Sequence, residues 1–365
     1  MLNFQKTKQE QQMTESKQKL IRIMTILKKV LPILPFAVSF FILYYLYPAS
    51  FESTWKGRTF YLFFLWLVAL ETILNWEELA TEKWKLKSRK TVFLIITCSL
   101  PIIYVAVSNF FGLNALIVDV STKYKIGGPD PRDIGFFADL MPLSIEYLVF
   151  TVLFALILLV GYEMGYLRKY AISTFFLGLI GFIYMSDNLY PNGKWAPLQF
   201  PVFPTTTLAA NVLNLMGFQT IITIIEPSSR YGLMPQLTAW DPKNPSSIAR
   251  FGVGWPCAGV ESLLIYTVTI LLFLSKTGIP LKHKIIYFIV GAVVTYSINI
   301  LRIVTIFVIA MSGGDWGTFH NYYGQLYSIT WIIFYPLIIL GINMLWLKTK
   351  ARRAPIRPAP IVTVK

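Results

Sequence analysis

Charge is scarce in this 365-residue chain: Asp, Glu, Lys and Arg make up 14% of it, against 55% hydrophobic residues. A soluble domain carries roughly 25% charged residues, so a water-soluble globular protein is excluded. Cysteine is nearly absent. The two present, Cys98 and Cys257, form neither a CxxC pair nor a disulfide framework. Histidine is equally rare, with only His283 and His320, and no HExxH motif occurs. No metal site is readable, and neither a metal nor a cofactor is expected. Acidic residues are few: 18 Asp and Glu stand against 33 Lys and Arg, a net charge of +15. No repeat of fixed period is visible, and low complexity is confined to the proline-rich tail.

What the chain has is apolar length. Runs at roughly 31–47, 59–75, 91–108, 144–162, 171–187, 258–275, 285–311 and 327–347 approach or exceed the ~18 residues that cross a bilayer core. The expectation is an all-α polytopic membrane protein with about eight transmembrane helices. The first 29 residues are polar and basic, which does not read as a cleavable signal.

The distribution of Lys and Arg sets the orientation. Twenty-three lie in the amino-terminal segment, the loops at 83–90, 168–169 and 276–284, and the tail from Lys348; nine lie in the alternate loops. By the positive-inside rule both termini are cytoplasmic. The basic charge is then juxtamembrane, suited to anionic lipid rather than to nucleic acid. The organisation reads as a cytoplasmic basic segment 1–29, a five-span region 30–187, an external loop or cap 188–256, a three-span catalytic region 257–347 and a basic tail 348–365. Leu20 to Leu27 reads as a surface helix on lipid headgroups. In the external segment, Thr205–Ile225 is half-apolar and reads as one interfacial or partly re-entrant element. The turn-rich stretch after it has strand-like pieces around it.

Three residues stand out on this topology. Cys257 follows Gly254-Trp255-Pro256 at the external mouth of the sixth span. With Pro256 at a first-turn position, Cys257 falls in the first helical turn, where unpaired N–H groups and the helix dipole favour a thiolate. Its bland alternative is a small packing residue. Arg302 lies inside the seventh span, roughly 15 Å below the Gly313-Gly314 break at about 1.5 Å per residue. A charge at that depth needs a partner or a wet cavity. Asn299, with Tyr296 one turn further back, shares its face, and an ion pair with Glu261, Glu163 or Glu71 is the structural alternative. His320 lies in the external connection before the last span, where a lone histidine is most often surface. A thiol, a guanidinium and an imidazole gathered in the outer leaflet suit cysteine acyl transfer. Glu261, one turn below Cys257, would pair with Arg302 or oppose thiol ionisation. Asp315 and Asn321 would orient His320 or shape its turn. Cys98, inside the third span, reads as packing, and His283 as part of a charged cytoplasmic loop.

Cys257-Ala258-Gly259-Val260-Glu261-Ser262, then Asn299-Ile300-Leu301-Arg302, then His320 before a last span, resemble the exosortase/archaeosortase family over roughly residues 200–345. The resemblance implies a membrane-embedded cysteine transpeptidase. Such an enzyme acts on exported proteins that carry a carboxy-terminal sorting signal with a transmembrane helix, and passes them to a membrane lipid or another surface acceptor. It implies Cys257 as nucleophile, His320 as general acid and base, and Arg302 as stabiliser of charge, with Gly259, Glu261, Ser262 and Asn299 in support. Cys-Ala-Gly with Glu261 fits the archaeosortase-like branch. Trp255, Trp316, Tyr322 and Tyr323 would ring the site at the interface. The competing readings are a transporter lined by Arg302, Glu71 and Glu163, and a non-catalytic envelope scaffold.

Overall fold

The computed structural model describes residues 18–19, 26, 29–53, 56–80, 89–128, 130–162, 164–191, 194, 199–226, 232–255, 257–324 and 326–353. Pro256, Glu163, most of the basic amino-terminal segment, including the Leu20–Leu27 stretch apart from Ile26, and the tail beyond residue 353 lie outside the described residues.

All eight apolar runs are helices. They are α1 (Leu34–Leu46), α3 (Thr59–Leu74), α4 (Arg89–Phe110), α6 (Pro131–Tyr162), α8 (Ala171–Leu189), α10 (Val260–Lys276), α11 (Leu281–Met311) and α12 (Leu326–Arg353). Five segments are long and apolar enough to cross a membrane: Val92–Phe110, Asp133–Gly161, Ala171–Leu189, Leu281–Met311 and Trp316–Trp346. Short helices link them: α2 (Pro48–Glu52), α5 (Leu113–Lys123) and α7 (Met164–Lys169). Large apolar side chains such as Phe93, Ile95, Val152, Ile286 and Val293 stand more than half exposed on the outer faces. Lipid, which competes for no hydrogen bonds, is the medium that such a surface fits.

Inside, aromatic rings lock the first helices together. Phe36 of α1 meets Phe64 of α3 and Phe150 of α6 edge to face, at 5.6 and 5.5 Å between ring centroids. Such geometry suits the ring quadrupoles. α6 packs along α8, α8 along α10, and α10, α11 and α12 pack on one another.

Buried charges are paired across the helices. Glu71 of α3 accepts from the Ile172 and Ser173 backbone N–H groups at the start of α8, at 3.1 and 3.0 Å, and from Lys276 Nζ at 2.8 Å. A carboxylate over a helix N-terminus is stabilised by the free N–H groups there. At the opposite end of the bundle, Arg58 holds Glu146 through two bonds of 2.8 and 2.9 Å. Tyr61 donates to the same carboxylate at 3.1 Å.

Two expectations are corrected. The helix that holds the fourth span begins at Pro131, 13 residues before 144, because the run is helical well ahead of its apolar part. Thr205–Ile225 is not one element. Its first half belongs to helix α9 (Val202–Leu215) and its second half is strand β1 (Gln219–Ile225), separated by Gly217 at φ 95°. Glycine reaches that left-handed region without the Cβ penalty, and the β-branched run after it favours an extended chain. β1 pairs antiparallel with β2 (Met234–Asp241), which pairs antiparallel with β3 (Asn244–Gly252), giving the order β1-β2-β3. Phe251 of β3 packs on Phe307 of α11 and on Trp316, at 5.1 and 4.6 Å. Ser247 donates to the Met311 carbonyl. The sheet is thereby fixed on the carboxy-terminal end of α11.

Candidate active site

The turn that carries Cys257 is pinned from three sides. Cys257 and Ala258 both donate their backbone N–H to the Gly254 carbonyl at 3.0 Å. Thr205 of α9 donates to the Ala258 carbonyl at 3.3 Å and bonds the Tyr296 hydroxyl at 2.9 Å. Asn299 of α11 donates from Nδ2 to the Cys257 carbonyl at 3.1 Å. Gly259 closes the turn at φ 81° and is the N-cap of α10. A Cβ there would lie 2.7 Å from Asn299 Cγ and Nδ2, so both the backbone angle and the approach of Asn299 require glycine.

This corrects the placement of Cys257 in a first helical turn. α10 starts at Val260, and the left-handed Gly259 separates the cysteine from the helix. The helix dipole therefore is not what acts most directly on the sulfur. Burial pushes the Cys257 thiol up from its ordinary range, and the Arg302 guanidinium pulls it back down. Asp187 and Glu261 oppose that pull.

Arg302 is only 4% exposed, and its Nη2 stands 3.4 Å from His320 Nδ1. His320 is half-buried in a π-helical turn, Phe319–Tyr323. Ahead of it Asp315 caps a short helical turn by accepting from Thr318 N–H and Oγ1 at 3.0 and 2.6 Å. Those bonds hold the Asp315 carboxyl below its usual range, and they assign Asp315 to shaping the turn. A Cβ on Gly324 would stand 2.5 Å from Arg302 Nε, so this glycine leaves the space in which the guanidinium lies. Arg302 Nε and Asn299 Oδ1 are buried without a protein partner among the described residues. Unpaired polar atoms are costly inside a protein and concentrate at functional sites. Here a donor and an acceptor of that kind lie one helical turn apart.

The sequence reading missed a polar group contributed by the first five spans. Lys56, in the connection before α3, bonds Asp187 Oδ2 and Asn188 Oδ1, each at 2.7 Å. Asn188 donates to Ser144 Oγ at 2.8 Å. Asp187 and Lys56 both act electrostatically on Glu261, which is buried in the first turn of α10 and also feels Arg302. One signal was available: the polar pair Asp187-Asn188 closes an otherwise apolar span.

Other candidates fall elsewhere. Glu71 is committed to α8 and Lys276, and Glu146 to Arg58, so neither is the partner of Arg302. Cys98 lies within α4, partly buried against the apolar core. The His283 ring lies 6.0 Å from that of Trp346, joining the start of α11 to the end of α12. Ser262 is buried on α10, with no described hydrogen bond to Cys257, Arg302 or His320. Trp255 is fully buried rather than placed at an interface; Trp316 and Tyr323 are exposed, and the Tyr322 side chain lies outside the described residues.

Among families of known proteins, residues 56–339 match the family described as transmembrane exosortase, Exosortase_EpsH. No curated protein and no solved structure matches the chain.

Proposed function

The chain belongs to the transmembrane exosortase family, and from that premise we propose that it cleaves carboxy-terminal sorting signals by cysteine acyl transfer. One observation carries the reading. The buried Arg302 lies 3.4 Å from the His320 ring, and one helical turn before it on α11 Asn299 holds the Cys257 carbonyl at 3.1 Å.

The chemistry follows from those three side chains. His320 takes the proton of the Cys257 thiol, the thiolate attacks the scissile carbonyl carbon, and a tetrahedral oxyanion forms. Arg302 offers fixed positive charge, and its unpaired Nε a donor, in surroundings where little water competes. As the C–N bond breaks, His320 gives its proton to the leaving amine and a thioester remains. The acceptor nucleophile then loses its proton to His320, attacks the thioester and releases the Cys257 thiolate. A membrane lipid is the acceptor that a site at this depth suits.

The substrate's signal helix would lie beside the spans, its basic end on the cytoplasmic side, with both termini of the enzyme on that side and Cys257 facing out. Cys-Ala-Gly with Glu261 supports the archaeosortase-like branch. The transporter reading loses one of its three named residues, since Glu71 is held by the start of α8 and by Lys276.

The test is Cys257→Ala with Cys98 retained, read by mass spectrometry of the carboxy termini of surface proteins. The expected result is uncleaved signals, with labelling of wild-type Cys257 by a membrane-impermeant thiol reagent added outside. Normal processing by the variant defeats the proposal.

A further inference from the structure

We infer that Lys56 and Asp187 are positioning residues for Cys257: their buried ion pair neutralises a carboxylate in the last turn of α8, the helix packed on α10, which follows the nucleophile. The inference rests on the reading of Cys257 as nucleophile and adds to it a role for the first five spans.

Asp187 lies in the last turn of α8, and α8 packs along α10. Its carboxylate acts on Cys257 and on Glu261 alike. The charged groups whose fields reach the thiol are Arg302 from α11, Glu261 from α10 and Asp187 from α8. His320 stands behind Arg302, and Lys56 behind Asp187 at 2.7 Å. Without Lys56, two carboxylates and one guanidinium would surround a sulfur that has to become an anion. With Lys56 the two signs balance. Nearby like charges disfavour ionisation, most strongly where water is excluded.

Lys56 is held for this task on every side. Its backbone takes φ 51°, unusual for a side chain with a Cβ. Its Nζ bonds Asn188 as well as Asp187 and sits 4.4 Å from the centre of the Phe137 ring of α6. Two residues on, Arg58 is fixed by Glu146, and the Gly57 carbonyl between them accepts from the Tyr147 hydroxyl at 2.9 Å. Asn188 is in turn oriented by Ser144. Such an ammonium neutralises Asp187 without having to be recruited from solvent.

The experiment is the pH profile of maleimide alkylation of the full chain in detergent, with Cys98→Ala leaving Cys257 as the only thiol. Near neutral pH, Lys56→Met is expected to slow alkylation about tenfold, Asp187→Asn to speed it, and the double variant to return within about twofold of the parent, one pKa unit being a factor of ten in thiolate. A structural pair gives a different pattern, with both single variants shifting the profile the same way or neither shifting it. Either pattern overturns the inference. If Lys56→Met does not fold, Asp187→Asn decides alone: faster alkylation supports the role, and an unchanged or slower rate removes it. Alkylation needs no substrate. A folded wild-type chain that cleaves no sorting signal would therefore defeat the enzyme reading without touching this result.

Discussion

Arg302 and His320 are 18 residues apart in the chain, yet Arg302 Nη2 lies 3.4 Å from His320 Nδ1. A helix end, a capped turn and a π-helical turn fold back to bring the ring over the guanidinium. The space for that contact is left by Gly324.

Gly324→Ala tests that packing directly. Its Cβ would meet Arg302 Nε at 2.5 Å, so the guanidinium has to move while the helices stay paired. Loss of one fixed oxyanion donor costs roughly 10²–10³-fold in turnover. The expected outcome is a fall in signal cleavage of about that size with an unchanged thermal midpoint in detergent.

Gly259 and Gly313 share nearly the same backbone angle, 81° and 76°, but differ in their surroundings. A Cβ at 313 meets nothing within 4 Å, whereas one at 259 meets Asn299 at 2.7 Å. Gly313→Ala is expected to cost only the left-handed backbone penalty, about 1–2 kcal/mol, and to retain cleavage. Gly259→Ala adds the clash and moves the carbonyl that Asn299 holds, so cleavage is lost. Thermal melts and cleavage assays on the two variants check the contrast.

Arg302 draws the Cys257 thiol downward against burial. Without that positive charge the thiolate forms only at higher pH. Arg302→Met is therefore expected to move the alkylation profile of Cys257 upward in pH, and His320→Ala to move it far less. A downward or absent shift for Arg302→Met would show that the guanidinium does not act on the sulfur.

The Arg58–Glu146 pair is buried and bidentate. Breaking such a pair from one side leaves an uncompensated charge and costs about 3–5 kcal/mol. Arg58→Met alone is expected to lower the thermal midpoint strongly. Adding Glu146→Leu should recover much of the loss, because an apolar pair of similar volume has no charge to desolvate. Melts of the single and double variants decide it.

The sequence was informative where the chemistry of a segment is local. Runs of apolar residues long enough for a bilayer are helices wherever they were read, since a chain in hydrocarbon has to satisfy its own backbone hydrogen bonds. Cys257, Arg302 and His320 were each visible as an anomaly of type and position: a thiol at a helix mouth, a charge inside an apolar run, a ring in the connection before the last span. The split of Thr205–Ile225 at Gly217 was less visible, because the same apolar β-branched run suits a strand and a buried helix alike.

Membrane insertion, the eight long apolar helices and the side chains proposed for acyl transfer were thus set by composition and order along the chain. Tertiary structure decided which carboxylates are spent on scaffolding, and that Cys257 answers to Arg302 rather than to the helix that follows it. It also brought Lys56 and Asp187, 131 positions apart, to 2.7 Å from each other. The reason is physical. Burying a charge is tolerable only beside its opposite, and which opposite it meets depends on how the helices pack, a property that no local stretch of sequence encodes.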